Sequence, residues 1–243
     1  MGLPFTVLSY DPQTSVPKIP GAAVIILQEW WGVNETIKSH AQNISNATGL
    51  HTVVPDLYKG KVGLTAEEAS HLMGHLDWKV AIEELEQLMK DLRSRGYTKI
   101  GAIGFCMGGA LSLALASQAA VNEMPLQAAV SCYGTPPADA FDVTKITNAT
   151  PIQGHFGGKD TMAGFSDPAA ADALETKLRH LKEATIYRYP EQGHAFLNED
   201  TWAVDKRKEL GFVDKNIDPK ADEKSVRDLA WSRITGFLVS HLQ

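Results

Sequence analysis

The 243 residues are 44% hydrophobic and 21% charged, enough apolar material for a sizeable core. The formal net charge is −6 with no basic stripe, which excludes a typical nucleic-acid binder, and no apolar run approaches the ~20 residues of a membrane span. Two cysteines cannot build a disulfide framework, and "MGLPFTVLSYDP" lacks the basic start and long apolar core of a signal peptide. A cytoplasmic, reducing setting is therefore expected.

Apolar β-branched runs alternate with helical patterns, which predicts parallel strands joined by crossover helices. Ala22 to Glu29 ("AAVIILQE") reads as a buried strand, and Asn34 to Thr48 as a helix capped by Asn34. His51 to Leu57 is the next strand, and Thr65 to Trp78 a short helix and loop. Lys79 to Arg95 is a clearer helix, with Val80, Ile82, Leu85, Leu88, Met89 and Leu92 mostly three or four apart and Gly96 as its stop. A strand beginning at Lys99 leads through "GFCMGG" into a helix from about Gly108 to Ala120. Leu126 to Gly134 and Thr150 to Gly158 follow as strands. Asp167-Pro168 opens a helix expected to reach Lys182, and Ala184 to Glu191 is a further strand. Asp218-Pro219 repeats the helix-opening signal. The final helix is expected to bury Val226, Leu229, Ala230, Ile234, Phe237 and Leu238 on one face. No Pro/Ser/Gly-rich linker or internal repeat divides the chain, so one α/β domain over 1–243 is expected. Its sheet should be mostly parallel, with helices on both faces.

Gly104-Phe-Cys106-Met-Gly108 has the G-x-C-x-G pattern of a nucleophile elbow between strand and helix, with cysteine at the reactive position. Such a turn holds its nucleophile in a strained conformation, and the glycines provide the missing Cβ atoms that close chain passage demands. The following helix N-terminus favours a thiolate and an adjacent oxyanion. A glycine-rich turn with an incidental cysteine is the competing reading. A nucleotide loop is disfavoured, because Gly101, Gly104 and Gly108 do not match G-x-G-x-x-G spacing and no G-x-x-x-x-G-K-[ST] occurs.

The order nucleophile, acid, histidine settles the preference. Asp160 in "HFGGKD" and His194 in "YPEQGHAF" each follow a strand, at the sheet edge where ligand sites form. His40, His71, His75, His180 and His241 lie in helix-like stretches and are expected at the surface. His51 begins a strand, His155 lies inside one, and Cys132 reads as a packed, inert thiol.

Together, "QEWWGVN", "VVPDLY", "IGFCMGG", "HFGGKD" and "YPEQGHAF" resemble the dienelactone hydrolase family, the cysteine-nucleophile branch of the α/β-hydrolase fold. The resemblance spans most of the chain. It implies Cys106 as nucleophile, His194 as general base and acid, Asp160 as the orienter of His194, and Glu29 as the acceptor of the thiol proton. It also implies an oxyanion hole from the backbone N–H groups of Trp30 and Met107. The implied chemistry is ester or lactone hydrolysis through a thioester, with no cofactor and no metal, on a small-molecule substrate, by a monomer or weak homodimer.

The chain departs from the family where substrate carboxylates are gripped. Asn198 stands where similar enzymes place one arginine, and Lys59 to Asp91 contains no arginine. Lys59, Lys61 and Asn198 are thus the polar candidates for substrate binding, Arg188 a further cation, and Trp30, Trp31 and Trp78 suggest an apolar pocket. Neutral esters are expected to be preferred. An idle scaffold that binds a ligand or partner, and a thiol redox sensor, are the alternatives from other classes.

Overall fold

The computed structural model describes residues 2–243. Strand β1 (Val7–Tyr10) is followed by β2 (Ala22–Leu27), helix α1 (Glu35–Thr48), β3 (His51–Pro55), α2 (Ala66–Gly74), α3 (Trp78–Ser94), β4 (Lys99–Phe105) and α4 (Met107–Val121). The second half runs β5 (Ala128–Cys132), β6 (Ile152–Gly157), α5 (Pro168–Lys177), β7 (Ala184–Tyr189), α6 (Thr201–Glu209), α7 (Pro219–Asp222) and α8 (Lys224–Leu242). The sheet order is β1-β3-β2-β4-β5-β6-β7. Every neighbouring pair is parallel except β1 with β3, so β1 forms an antiparallel edge.

Buried on both faces, β2 and β4 carry unbroken apolar runs rather than an alternating pattern. One face packs Ile82, Leu85, Leu88 and Met89 of α3 with Leu111 and Leu115 of α4 and Leu174 of α5. The other packs Ile37, Ala41 and Ile44 of α1 with Ala230, Ile234 and Leu238 of α8. This is the expected α/β arrangement, with β4 at its centre and the carboxyl ends of β2, β4, β6 and β7 on one edge.

The local signals behave as the chemistry dictates. Asn34 Oδ1 accepts the Ile37 N–H, and Thr65 with Glu68 closes a capping box at α2. Asp167 and Asp218 cap α5 and α7, each with proline in the first turn. Three expectations fail. α5 ends at Lys177 rather than Lys182, because His180 turns its ring nitrogens onto Lys177 O and Ile146 O. On α8 the inward stripe is Arg227, Ala230, Ile234, Leu238 and Leu242, so Leu229 is exposed. His40 is buried rather than on the surface, covered by Phe105 and Trp231. Among the described residues, no helix is long and apolar enough to cross a membrane.

Candidate active site

β4 runs straight into Cys106, which adopts φ 54° and ψ −117°, a conformation that L-residues avoid unless their surroundings compel it. The surroundings are backbone. A Cβ on Gly104 would stand 1.8 Å from Gly108 O, and one on Gly108 would stand 2.2 Å from Leu27 O. Only glycine permits this crossing of β2, β4 and α4. The turn aims the Cys106 side chain over the sheet edge, and the Met107 and Trp30 N–H groups both favour its thiolate. They are outweighed. Burial raises the Cys106 thiol well above its ordinary range, and the neighbouring Glu29 carboxylate raises it further. The resting sulfur is therefore a thiol, against the thiolate that the helix terminus alone would give.

Asp160, in the turn after β6, and His194, in the loop after β7, meet as the sequence order requires. His194 Nδ1 lies 2.6 Å from Asp160 Oδ2, and the Met162 N–H donates to the other carboxylate oxygen at 3.0 Å. Ser166 Oγ lies 3.1 Å from the same Nδ1 and completes the cradle. A proton on Nδ1 leaves Nε2 as the free acceptor. That Nε2 is buried without a hydrogen-bond partner, and its ring shares a cavity wall with Cys106. An unpaired buried nitrogen is costly, and here it is the atom a passing proton would use. Tyr133 and Phe212 stand edge-on to the ring at 5.2 and 4.9 Å and fix its plane.

Glu29 sits just past β2 and is 2% exposed. Burial is the largest influence on it and pushes its carboxyl up to about 7, against the opposing hydrogen bonds of Asn198. Asn198 Nδ2 lies 3.0 and 3.2 Å from the two Glu29 oxygens. Asn198 was expected to meet substrate. Its donors are turned onto Glu29 instead, so an arginine introduced there would meet Glu29 first.

Two recesses share Cys106 and His194. The apolar one, about 180 Å³, is completed by Trp30, Met73, Met162, Phe165 and Phe212. The narrower one is bordered by Glu29, Trp31, Asn198, Lys206 and Arg207, so Trp30 and Trp31 both lie beside the cysteine. Trp78, Lys59 and Lys61 line neither recess. Trp78 packs toward Phe141 in the core, 6.4 Å between rings, and the two lysines border a separate 340 Å³ hollow with Glu84 and His75. Arg188 is engaged by Asp172 and Glu175. Cys132 is fully buried in β5.

Three participants escaped the sequence reading. Ser166 touches the histidine, and His40 Nε2 lies 3.1 Å from Asn198 Oδ1. Arg207 is buried. It donates to His194 O at 3.1 Å and to both oxygens of Glu223 at 2.7 and 3.0 Å. Only Ser166 offered a signal, as a hydroxyl six residues past Asp160. Among the described residues no group of three or more His, Cys, Asp or Glu side chains is arranged to hold a metal ion.

The dienelactone hydrolase family profile matches residues 5–242. A carboxymethylenebutenolidase of Pseudomonas putida is 28% identical, covering 79% of this chain and 84% of its own. A carboxymethylenebutenolidase homolog of Homo sapiens is 26% identical over 90% of this chain and 84% of its own. Among solved structures, a dienelactone hydrolase-like promiscuous phosphotriesterase from metagenomic libraries superposes with a TM-score of 0.69 at 19% identity, covering 93% of this chain and 88% of that one. With an α/β-hydrolase fold and a family match over nearly its whole length, the chain belongs to the dienelactone hydrolase family and is a carboxylic ester or lactone hydrolase.

Proposed function

We propose that the protein hydrolyses small, neutral, apolar esters or lactones through Cys106, His194 and Asp160, by way of an acyl-thioester. The observation that carries this reading is the apolar recess that Cys106 shares with the unpartnered Nε2 of His194. Glu29 takes the Cys106 proton as substrate enters, and the thiolate attacks the carbonyl carbon. The oxyanion is received by the Trp30 and Met107 N–H groups. Glu29 passes the Cys106 proton to the unpartnered Nε2 of His194, and the imidazolium so formed, balanced by Asp160, gives it to the leaving alkoxide. His194 Nε2 then removes a proton from the water that cleaves the thioester and returns it to the released Cys106 sulfur. The cycle consumes one ester and one water and releases an acid and an alcohol.

Neutral substrates are favoured because the two cations that border the narrower recess are already engaged. Lys206 Nζ lies 2.7 Å from Glu209, and Arg207 is locked to Glu223. A substrate carboxylate would lose its water without a free partner.

The test is a panel of aryl esters and a matched pair, a carboxylated lactone and its methyl ester, followed by turnover and intact mass. Wild type should accumulate an acyl adduct on Cys106 and show the higher kcat/KM for the methyl ester. Cys106→Ala should lose turnover and adduct with an unchanged circular dichroism spectrum. Turnover near wild type in Cys106→Ala would refute the nucleophile.

A further inference from the structure

One face of α1 grips the loop that follows His194. Thr36 Oγ1 donates to Asp200 Oδ2 at 2.7 Å, and one turn later His40 Nε2 lies 3.1 Å from Asn198 Oδ1. The loop is thereby held at two points, and one of them is the amide that faces Glu29.

The direction of each hydrogen bond follows from what the groups can do. A carboxylate only accepts, so the Asn198 amide must turn its NH2 toward Glu29 and its carbonyl oxygen toward His40. A carbonyl oxygen only accepts, so His40 must carry a proton on Nε2. Burial holds His40 below its ordinary range, so the ring is neutral and that proton is its single one. The chain from His40 Nε2–H through Asn198 to Glu29 therefore runs in one sense and brings no positive charge to the carboxylate.

We propose that His40 is a positioning residue of the site: its Nε2–H fixes the Asn198 amide so that its NH2 faces Glu29, and through Asn198 it governs how readily Glu29 holds a proton taken from Cys106. This rests on the reading of Glu29 as the thiol's proton acceptor. Other groups face the pair. Asp200 and Arg207 act on Glu29, and the Cys106, Cys132 and Tyr133 side chains respond to its charge. Asp200 and Glu199 act on His40, whose ring packs on Phe105 and Trp231. None of these donates a hydrogen bond to Asn198 Oδ1; His40 alone does so among the described residues.

The test follows the Glu29 carboxyl stretch by pH-difference infrared spectroscopy, with the band identified by its loss in Glu29→Gln. Wild type should titrate near 7. His40→Phe keeps a ring against Phe105 and Trp231 but removes the donor, and the midpoint should rise by roughly one pH unit. His40→Gln, whose amide can donate to Asn198, should restore part of the shift. Thr36→Val, which releases the Asp200 grip and leaves the His40 donor in place, should move the midpoint less than His40→Phe does. A His40→Phe midpoint equal to wild type overturns the proposal. Nitrogen NMR of the wild-type His40 ring is independent of any variant's folding, and a neutral ring protonated on Nδ1 overturns the proposal equally. Glu29→Gln with full ester kcat/KM would instead refute the proton-acceptor reading, while the infrared midpoint still decides the role of His40.

Discussion

Around Cys106 the neighbours that fix the turn are peptide groups. Leu27 O and Gly108 O stand where side chains of Gly108 and Gly104 would go, and the turn has no freedom to adjust. Around His194, side-chain clamps are added to one such backbone contact, at Gly193, where a Cβ would stand 1.9 Å from Phe212 O. Arg207 holds the His194 carbonyl, Glu223 holds Arg207, Thr36 holds Asp200, and Glu199 accepts from Arg227 at 3.0 Å. The first region is set by steric exclusion, and the second adds paired charges and hydrogen bonds to it. Backbone contacts tolerate no added atom, whereas polar clamps can be removed one at a time. Cys106 should accordingly respond to mutation all-or-none, and His194 by degrees.

The largest effect is expected where that contrast is sharpest. Gly108→Ala places a methyl 2.2 Å from Leu27 O, and neither β2 nor α4 can retreat without disturbing the centre of the sheet. The variant should lose more than ~4 kcal/mol of stability or fail to accumulate folded, as measured by urea denaturation. A well-folded Gly108→Ala with wild-type activity would erase the distinction.

Next is Arg207→Met. It leaves Glu223 buried without its partner, and removing one side of such a pair costs about 3–5 kcal/mol. The same change frees the His194 carbonyl. The Tm should fall and kcat/KM should drop while Cys106 still reacts with iodoacetamide, because the elbow does not depend on Arg207. Equal loss of thiol reactivity would show that the two regions are not separable.

The smallest effect sharpens the comparison at the point where the regions touch. Glu29 has a folded-state carboxyl near 7, above the ordinary value of 4.5, so folding is penalised wherever the carboxylate is charged. The penalty is absent below about pH 4.5, grows as pH rises, and is complete above about 7, where it amounts to about 3 kcal/mol. Glu29→Gln should therefore be more stable than wild type at pH 8, with the gap closing toward pH 5, while ester turnover falls. Denaturation at the two pH values measures it, and a constant gap would mean that Glu29 is not strained by its burial.

Cys106, Asp160 and His194 were legible because each sits where local rules leave a mark. A glycine pair around a strand–helix turn, and polar residues just past apolar strands, are short-range patterns carried by the chain itself. β1 and α6 left weaker marks. β1 is a four-residue edge strand, and α6 buries Arg207 where an apolar residue would have announced a helix. Spacing locates a stripe but not its centre, so Leu229 falls outside the buried stripe and Arg227, paired with Glu199, occupies the buried place.

By itself, then, the sequence determined the order in which Cys106, Asp160 and His194 fall along the sheet edge and the element types that carry them. Only the tertiary structure brought His40, Asn198 and Arg207 to the site. Asn198 meets His40 across a separation of 158 residues and Glu29 across 169. A polar residue on a helix reads as solvent-facing until another element covers it, and for His40 that cover is Trp231 of α8 and Phe105 of β4. Once covered, each buried polar group must find a partner or bear the full loss of its water. The pairing that results depends on which surfaces the fold brings together, and no local pattern records it.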